Sequence, residues 1–160
     1  MTGGLPAACR ALVIGIGNAY RSDDAAGFAV AAQVRAASLP GVAVTEFEGE
    51  PVSLIGAWHD AELVYLADAV LSGGEPGTVY RFDAAAGLPP APLRHRGTHA
   101  FSLADVVELG RALGRLPARL IAFGIEGAEF SAGTSMSPQA TQGARAAAAE
   151  LIAELTAEGG

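Results

Sequence analysis

The stretch ALVIGIGNAYRSDD, residues 11–24, decides the fold. Its first half, Ala11–Gly17, is a continuous apolar run of strand length, which is typical of a central strand buried on both faces of a parallel sheet. Its second half places an asparagine, an arginine and two adjacent carboxylates directly after that strand. Asp24–Ala36 then has the pattern of a helix, so this part of the chain predicts the first strand–loop–helix unit of an α/β fold.

Short apolar runs alternate with helical patterns along the rest of the chain, which predicts a three-layer α/β/α sandwich with a mostly parallel, twisted five-stranded sheet. The four further strands are predicted at Val42–Glu48, Leu63–Val70, Thr78–Asp83 and Arg119–Ile125. The further helices are predicted after Pro51, over Ser102–Leu113 with Ser102 as N-cap, and from Ser137 and Pro138 to about Thr156. Gly73–Gly77 and Ala84–Pro92 are predicted as loops. No second domain or internal repeat is visible, so residues 1–160 are expected to form a single domain.

The composition excludes several classes of chemistry. All 10 cationic residues are arginines, and without lysine there is no Walker phosphate loop, Schiff-base catalysis or attachment of pyridoxal phosphate. The formal charge of -7 argues against nucleic-acid binding. Cys9 is the only cysteine, which excludes an internal disulfide and a zinc site built on several thiolates. No apolar run reaches the roughly 18 residues of a membrane span, and residues 1–10 lack the pattern of a secretory signal, so we expect a soluble, cytoplasmic protein.

The glycines at positions 15 and 17 do not make a convincing dinucleotide site. The dinucleotide fingerprint needs a third glycine where Tyr20 stands, and Asp23 and Asp24 would repel a phosphate at the start of the following helix. The two acids also have a purely structural interpretation, in which Asp23 caps a helix that begins at Asp24.

A third carboxylate, Asp68, lies near the end of the third strand. A buried aspartate is costly unless it accepts hydrogen bonds, is paired or coordinates an ion. Because ligands of open α/β sheets bind outside the carboxyl ends of the strands, where the strand order reverses, we expect Asp24 and Asp68 on one rim, with His99 in the loop before the third helix. His59 and His95 are expected on the surface. One imidazole and two carboxylates form a ligand set that suits a borderline divalent ion such as nickel or zinc.

Four blocks of the sequence together resemble the hydrogenase maturation protease family. These blocks are GIGNAYRSDD with Gly27, VYLADAV, THAFSLADVVELG and IEGAEFSAGTSMSP. They extend from the first strand to the last helix, in the order and at the separations usual in the family. The resemblance implies that the second acid of the first block, the aspartate of the second block and the histidine of the third block together bind a metal ion. Those positions fall on Asp24, Asp68 and His99.

The same resemblance implies an activity. The expected protein is an aspartyl-type endopeptidase that inspects the nickel in a hydrogenase large-subunit precursor and then removes a short C-terminal extension. The nickel is supplied by the substrate, no permanent cofactor is required, and the three ligand residues are also the expected catalytic residues. Asn18, Arg21 and Asp23 are expected to contact the substrate tail, and the enzyme is expected to be monomeric. Ala25 departs from the family, in which a glycine usually follows the acid pair.

Three alternatives remain open at this stage. One is a non-catalytic assembly factor of the same fold, which binds the large subunit without cutting it. Another is a nucleotide-binding enzyme, suggested by the glycine-rich turn and by Glu46 or Glu48 at the end of the second strand. The third is a stand-alone metallopeptidase with its own zinc. The nucleophile does not follow from the sequence, and the loops at 73–77 and 88–92 are expected to carry substrate recognition.

Overall fold

The computed structural model describes residues 9–18, 20–48, 50–58, 61–87, 89–94, 101–133 and 135–159. Within them, one sheet contains the strands β1 (Ala11–Ile16), β2 (Val42–Phe47), β3 (Leu63–Val70), β4 (Val79–Asp83) and β5 (Arg119–Glu126). Their order across the sheet is β2-β1-β3-β5-β4. The β1–β2, β1–β3 and β3–β5 pairs are parallel and the β4–β5 pair is antiparallel. The predicted mostly parallel sheet of five strands is therefore confirmed.

Helices cover both faces of this sheet. Among the described residues they are α1 (Ala26–Ala36), α2 (Pro51–Ala57), α3 (Leu103–Ala112) and α4 (Pro138–Gly159), and short 3₁₀ turns span Ser22–Ala25, Ala84–Ala86 and Ala91–Arg94. α1 and α4 pack against one face, and α2 and α3 pack against the other. This is the three-layer sandwich that the sequence predicts. None of the described helices is both long and apolar enough to cross a membrane.

The core is divided by the sheet into two apolar clusters. Leu12 and Ile14 of β1 point toward α2 and α3, whereas Val13 points toward α1 and α4, where the rings of Tyr65 and Phe123 also stack with centroids 6.3 Å apart. Every residue of β1 is buried. A strand that is covered on both faces needs apolar side chains at every position, which explains why its sequence shows no alternation.

The ends of most elements differ from the prediction by one to three residues, and the difference that bears on the site lies after β1. Residues 22–25 form a 3₁₀ turn, so the α-helix begins at Ala26 and not at Asp24. The turn is closed by the Asp24 N–H, which donates to the Arg21 carbonyl at 3.0 Å. The predicted loop at 84–92 contains two 3₁₀ segments, the first of which is capped by Asp83.

The predicted caps of the later helices are confirmed. Ser102 and Asp105 form a reciprocal capping box at the start of α3, and the Ser137 hydroxyl accepts a hydrogen bond from Ala140 at the start of α4. The indole N–H of Trp58, just after α2, donates to the Arg115 carbonyl just after α3 at 2.8 Å. Because α2 and α3 thus end together at the amino edge of the parallel strands, α3 begins at their carboxyl edge.

Candidate active site

The strand order reverses between β1 and β3. The chain leaves β1 for β2 on one side and returns to β3 on the other, which is the arrangement that creates a ligand site at the carboxyl edge of an open α/β sheet. Asp24 is 1% exposed and lies in the 3₁₀ turn after β1, and that turn contacts β3. Asp68 is 3% exposed and lies two residues before the end of β3. Two of the predicted site residues therefore lie at the predicted edge.

A close backbone approach holds these two segments together. A Cβ atom at Gly27 would lie 2.2 Å from the Ile16 carbonyl oxygen and 2.4 Å from that of Ala67. Gly27 is one helical turn beyond Asp24, and Ala67 is the neighbour of Asp68. Since no other residue permits such an approach, Gly27 lets α1 lie directly on the ends of β1 and β3.

The loop between β1 and the 3₁₀ turn is fixed by its own hydrogen bonds. The side-chain oxygen of Asn18 accepts from the Tyr20 N–H at 2.8 Å, and the Asn18 N–H donates to the Asp24 carbonyl at 3.1 Å. The side chains of Tyr20 and Arg21 are exposed at the outer surface of this loop. Substrate contact by Asn18 and Arg21 stays a prediction, and the described geometry leaves Arg21 accessible for it.

Asp23 has a different environment from its neighbours in the loop. Its side chain is 0% exposed, and the carboxylate accepts hydrogen bonds from the N–H groups of Ala128 (2.7 Å), Glu129 (2.9 Å) and Ser137 (2.6 Å). A fourth comes from the Ser137 hydroxyl at 2.7 Å. Neither the 3₁₀ turn nor α1 has a side-chain cap, so the interpretation of Asp23 as a helix cap is wrong. Its predicted contact with substrate stays untested, and in this structure its carboxylate binds the chain itself.

The same hydrogen bonds determine the ionisation of Asp23. Burial by itself raises the pKa of the carboxyl, but the hydrogen bonds from Ala128, Ser137 and Glu129 outweigh it, and the net pKa lies below the ordinary value of 3.8. The group is therefore a carboxylate at neutral pH. It acts as a charged anchor between the loop after β1 and the segment that joins β5 to α4.

Neighbouring residues extend this anchor into a continuous clamp. The Ser22 N–H donates to the Gly133 carbonyl at 2.9 Å, and the Gly133 N–H donates to the Tyr20 carbonyl at the same distance. The Ser22 hydroxyl donates to the Ser131 carbonyl at 2.9 Å. Ser22 adopts a positive φ of 52° to make this turn. Residues 20–23 are thus fastened along much of the segment 128–137.

Asp68 and the histidines complete the description of the predicted ligands. One oxygen of Asp68 accepts a hydrogen bond from the N–H of Ala69 at 2.8 Å. His99 lies outside the described residues, as do His59 and His95, so the third ligand stays a prediction. The described part of the chain contains no group of three or more histidine, cysteine, aspartate or glutamate side chains that could hold a metal ion.

A further buried carboxylate at this edge was not predicted. Glu126, the last residue of β5, is 0% exposed. It accepts hydrogen bonds from the Tyr80 hydroxyl at 2.9 Å, from the Ser72 N–H at 2.8 Å and from the Ser72 hydroxyl. Burial, together with the bond to Glu126, raises the pKa of Tyr80. The signal that singles out Asp68, an acid at the end of a buried apolar strand, applies equally to Glu126.

The carboxylates at this edge are suited to two kinds of chemistry, which are cation binding and proton transfer. Asp24 and Asp68 place carboxylate groups, which are suitable ligands of divalent cations, at the carboxyl edge between β1 and β3. A carboxylate in that position can also accept a proton from water during hydrolysis. The carboxylates of Asp23 and Glu126 accept hydrogen bonds from the surrounding loops and hold them in place.

Comparison with known proteins identifies the family. A family model described as hydrogenase maturation protease matches residues 30–155. The NiFe hydrogenase maturation protease HycI from Thermococcus kodakarensis is 28% identical, with 91% of each chain covered and a TM-score of 0.67. An endopeptidase from Escherichia coli is 24% identical (94% of each chain, TM-score 0.71), and the hydrogenase maturating endopeptidase HybD from Escherichia coli is 23% identical (94% of each chain, TM-score 0.66). A search of curated protein sequences gave no significant match. Since the family model covers well over half of the chain, this protein belongs to the hydrogenase maturation protease family.

Proposed function

We propose that this protein is the endopeptidase that removes the C-terminal extension of a nickel-loaded hydrogenase large-subunit precursor. Membership of the family implies peptidase activity. The observation that carries the finer proposal is the pair of buried carboxylates, Asp24 and Asp68, at the carboxyl edge between β1 and β3. Burying two acids at one edge is costly, and ion recognition gives that cost a function.

In this proposal the nickel ion belongs to the substrate. Asp24 and Asp68 offer oxygen ligands and His99 offers an imidazole, a mixed set that suits a borderline ion. Three protein ligands leave coordination positions for groups of the precursor or for water. The protease therefore needs no permanent cofactor, and the resting enzyme is monomeric and free of metal. A precursor without nickel presents nothing for these ligands to bind and is left uncut.

The test is the intact mass of the precursor after incubation with the protein. Wild type should remove one C-terminal peptide from nickel-loaded precursor and none from nickel-free precursor. Asp24→Asn, Asp68→Asn and His99→Ala should each lower the cleavage rate at least 100-fold. Asp83→Asn is the matched control, because it makes the same chemical change at a turn cap outside the site.

Two outcomes would contradict the proposal in different ways. A stable complex with an unchanged precursor mass would indicate an assembly factor that does not cut. Cleavage that is independent of nickel, by a protein that purifies with bound zinc, would indicate a stand-alone metallopeptidase.

A further inference from the structure

The most exposed large apolar side chain among the described residues lies in the loop that leads from β1 to Asp24. Tyr20 is 70% exposed, and the other large apolar side chains that reach far into solvent are those of Val52 (58%) and Leu113 (50%). Leu113 follows α3 at the amino edge of the sheet, opposite the candidate active site. Single exposed apolar residues are common on protein surfaces, so the backbone and the location of Tyr20 decide whether its ring has a role.

The backbone that carries this ring is anchored on both sides. The Tyr20 N–H donates to the side-chain oxygen of Asn18 at 2.8 Å, and the Tyr20 carbonyl accepts from the Gly133 N–H at 2.9 Å. Three residues further on, the carboxylate of Asp23 accepts four hydrogen bonds. Between them Ser22 keeps a φ of 52°, which is unfavourable for a residue with a side chain and persists only where the surroundings enforce it. The ring is therefore presented on a rigid loop, and a contact with it costs little backbone entropy.

The same loop places the ring close to the proposed ligands. The Asn18 N–H donates to the Asp24 carbonyl at 3.1 Å, and the Asp24 N–H donates to the Arg21 carbonyl at 3.0 Å. Tyr20 thus lies between two residues whose backbones are bonded to that of Asp24. The four residues from Tyr20 to Asp24 span at most about 14 Å, whereas one partner's share of a standard interface, about 800 Å², corresponds to a patch of about 16 Å radius. A protein partner that docks over Asp24 therefore reaches Tyr20.

We propose that the ring of Tyr20 is an apolar contact by which this protein recognises the large-subunit precursor. The inference rests on the proposed function and adds to it a recognition residue that is distinct from the proposed ligands. Tyrosine suits this role because it buries a large apolar area, keeps a hydroxyl for a hydrogen bond, and is enriched among the residues that dominate binding energy at interfaces. The ring holds the precursor equally before and during cleavage, so its loss raises KM and leaves kcat unchanged.

Truncation of the ring tests this assignment. Tyr20→Ala should raise KM for nickel-loaded precursor at least about tenfold, with kcat within about twofold of wild type. Tyr20→Phe keeps the ring and should restore KM to within about threefold of wild type. Leu113→Ala is the matched control, because it truncates an exposed apolar side chain at the opposite edge of the sheet, and its KM should stay at the wild-type value. Tyr20→Ala should melt close to wild type, since surface substitutions rarely change stability. Equal KM values for Tyr20→Ala and Leu113→Ala would overturn the assignment.

A binding measurement separates this inference from the proposed function. The Kd of nickel-loaded precursor is measured for the immobilised wild type, Tyr20→Ala and Leu113→Ala, and only Tyr20→Ala should weaken the complex, by at least about tenfold. A complex that Tyr20→Ala weakens, together with no cleavage by the wild type, would remove the proposed function and leave the contact standing. Cleavage by the wild type with the same Kd for both variants would overturn the contact alone. The absence of both cleavage and a complex would overturn both.

Discussion

Replacing Asp23 with asparagine tests whether one buried carboxylate holds the β5–α4 segment in place. Oδ2 of Asp23 accepts hydrogen bonds from the Ala128 and Glu129 N–H groups and from the Ser137 hydroxyl, while Oδ1 accepts from the Ser137 N–H. Asparagine has the same shape but only one acceptor oxygen. In either orientation its NH₂ group faces at least one N–H donor, and every bond that survives has lost its charge.

The size of the effect follows from these bonds. The better orientation keeps three bonds, each weakened by about 1 kcal/mol as a charged acceptor becomes neutral, and leaves the Ser137 N–H unsatisfied at a cost of about 1–3 kcal/mol. Removing a buried charge recovers part of its desolvation cost, so we expect a net loss of about 3 kcal/mol. That is a large fraction of the roughly 5–15 kcal/mol by which domains are stable. For a chain of this length it corresponds to a fall in melting temperature of about 6–12 °C.

Urea unfolding and hydrogen exchange would measure this loss. Asp23→Asn should lower the urea midpoint and accelerate exchange of the Ala128 and Glu129 amides, which lose their acceptor. Asp83→Asn, which weakens one cap bond at a partly exposed turn, should cost less than about 1 kcal/mol. A melting temperature for Asp23→Asn within about 2 °C of wild type, with unchanged exchange at both amides, would refute the idea of a charged anchor.

Four further substitutions test other parts of the fold. Gly27→Ala should cost at least about 3 kcal/mol in urea unfolding because its Cβ would meet backbone carbonyls at 2.2 and 2.4 Å, whereas Gly56→Ala, with open space around it, should stabilise α2 by about 0.5–1 kcal/mol. The hydrogen bonds from Arg81 lower the pKa of Glu154 below 4.5, so their stabilisation is present above pH 4.5 and is lost as pH falls through the folded-state pKa. The free energy of unfolding of the wild type should therefore exceed that of Glu154→Gln by about 1 kcal/mol at pH 7, and this difference should disappear in acid. Urea midpoints measured as a function of pH would show it. Glu126→Gln should cost about 2 kcal/mol and speed exchange in the β3–β4 connection, and an unchanged exchange rate there would contradict its role.

Features that depend on residues close to one another in the sequence could be predicted from the sequence. β1 is apolar throughout because both of its faces are covered. Ser102 and Ser137 cap helices through donors only three residues away, so the local pattern is sufficient. Asp68 was recognisable because an acid inside an apolar strand conflicts with its surroundings.

The role of Asp23 could not be predicted, because it depends on residues that are distant in the sequence. Its hydrogen-bond donors lie more than 100 residues away in the chain, and only the packing of the β5–α4 segment brings them to it. From the sequence, an acid just before a helix has the pattern of an N-cap, and the two possibilities are locally identical. His99 is predicted from the resemblance and lies outside the described residues, so Asp24 and Asp68 are the part of the ligand set whose placement can be compared with the prediction.

The distribution of buried acids connects stability with function in this fold. The described residues contain four buried carboxylates, Asp23, Asp24, Asp68 and Glu126, and all four lie at the carboxyl ends of β1, β3 and β5. A chain selected for stability alone would avoid such a concentration of like charge, because each acid must be desolvated and each repels the others. Asp23 and Glu126 direct their oxygens to backbone and hydroxyl donors of two loops and so make those loops rigid. The proposed function would require rigid surroundings for a metal ion that the substrate supplies, and two of these four buried acids hold the loops beside the proposed ligands in place.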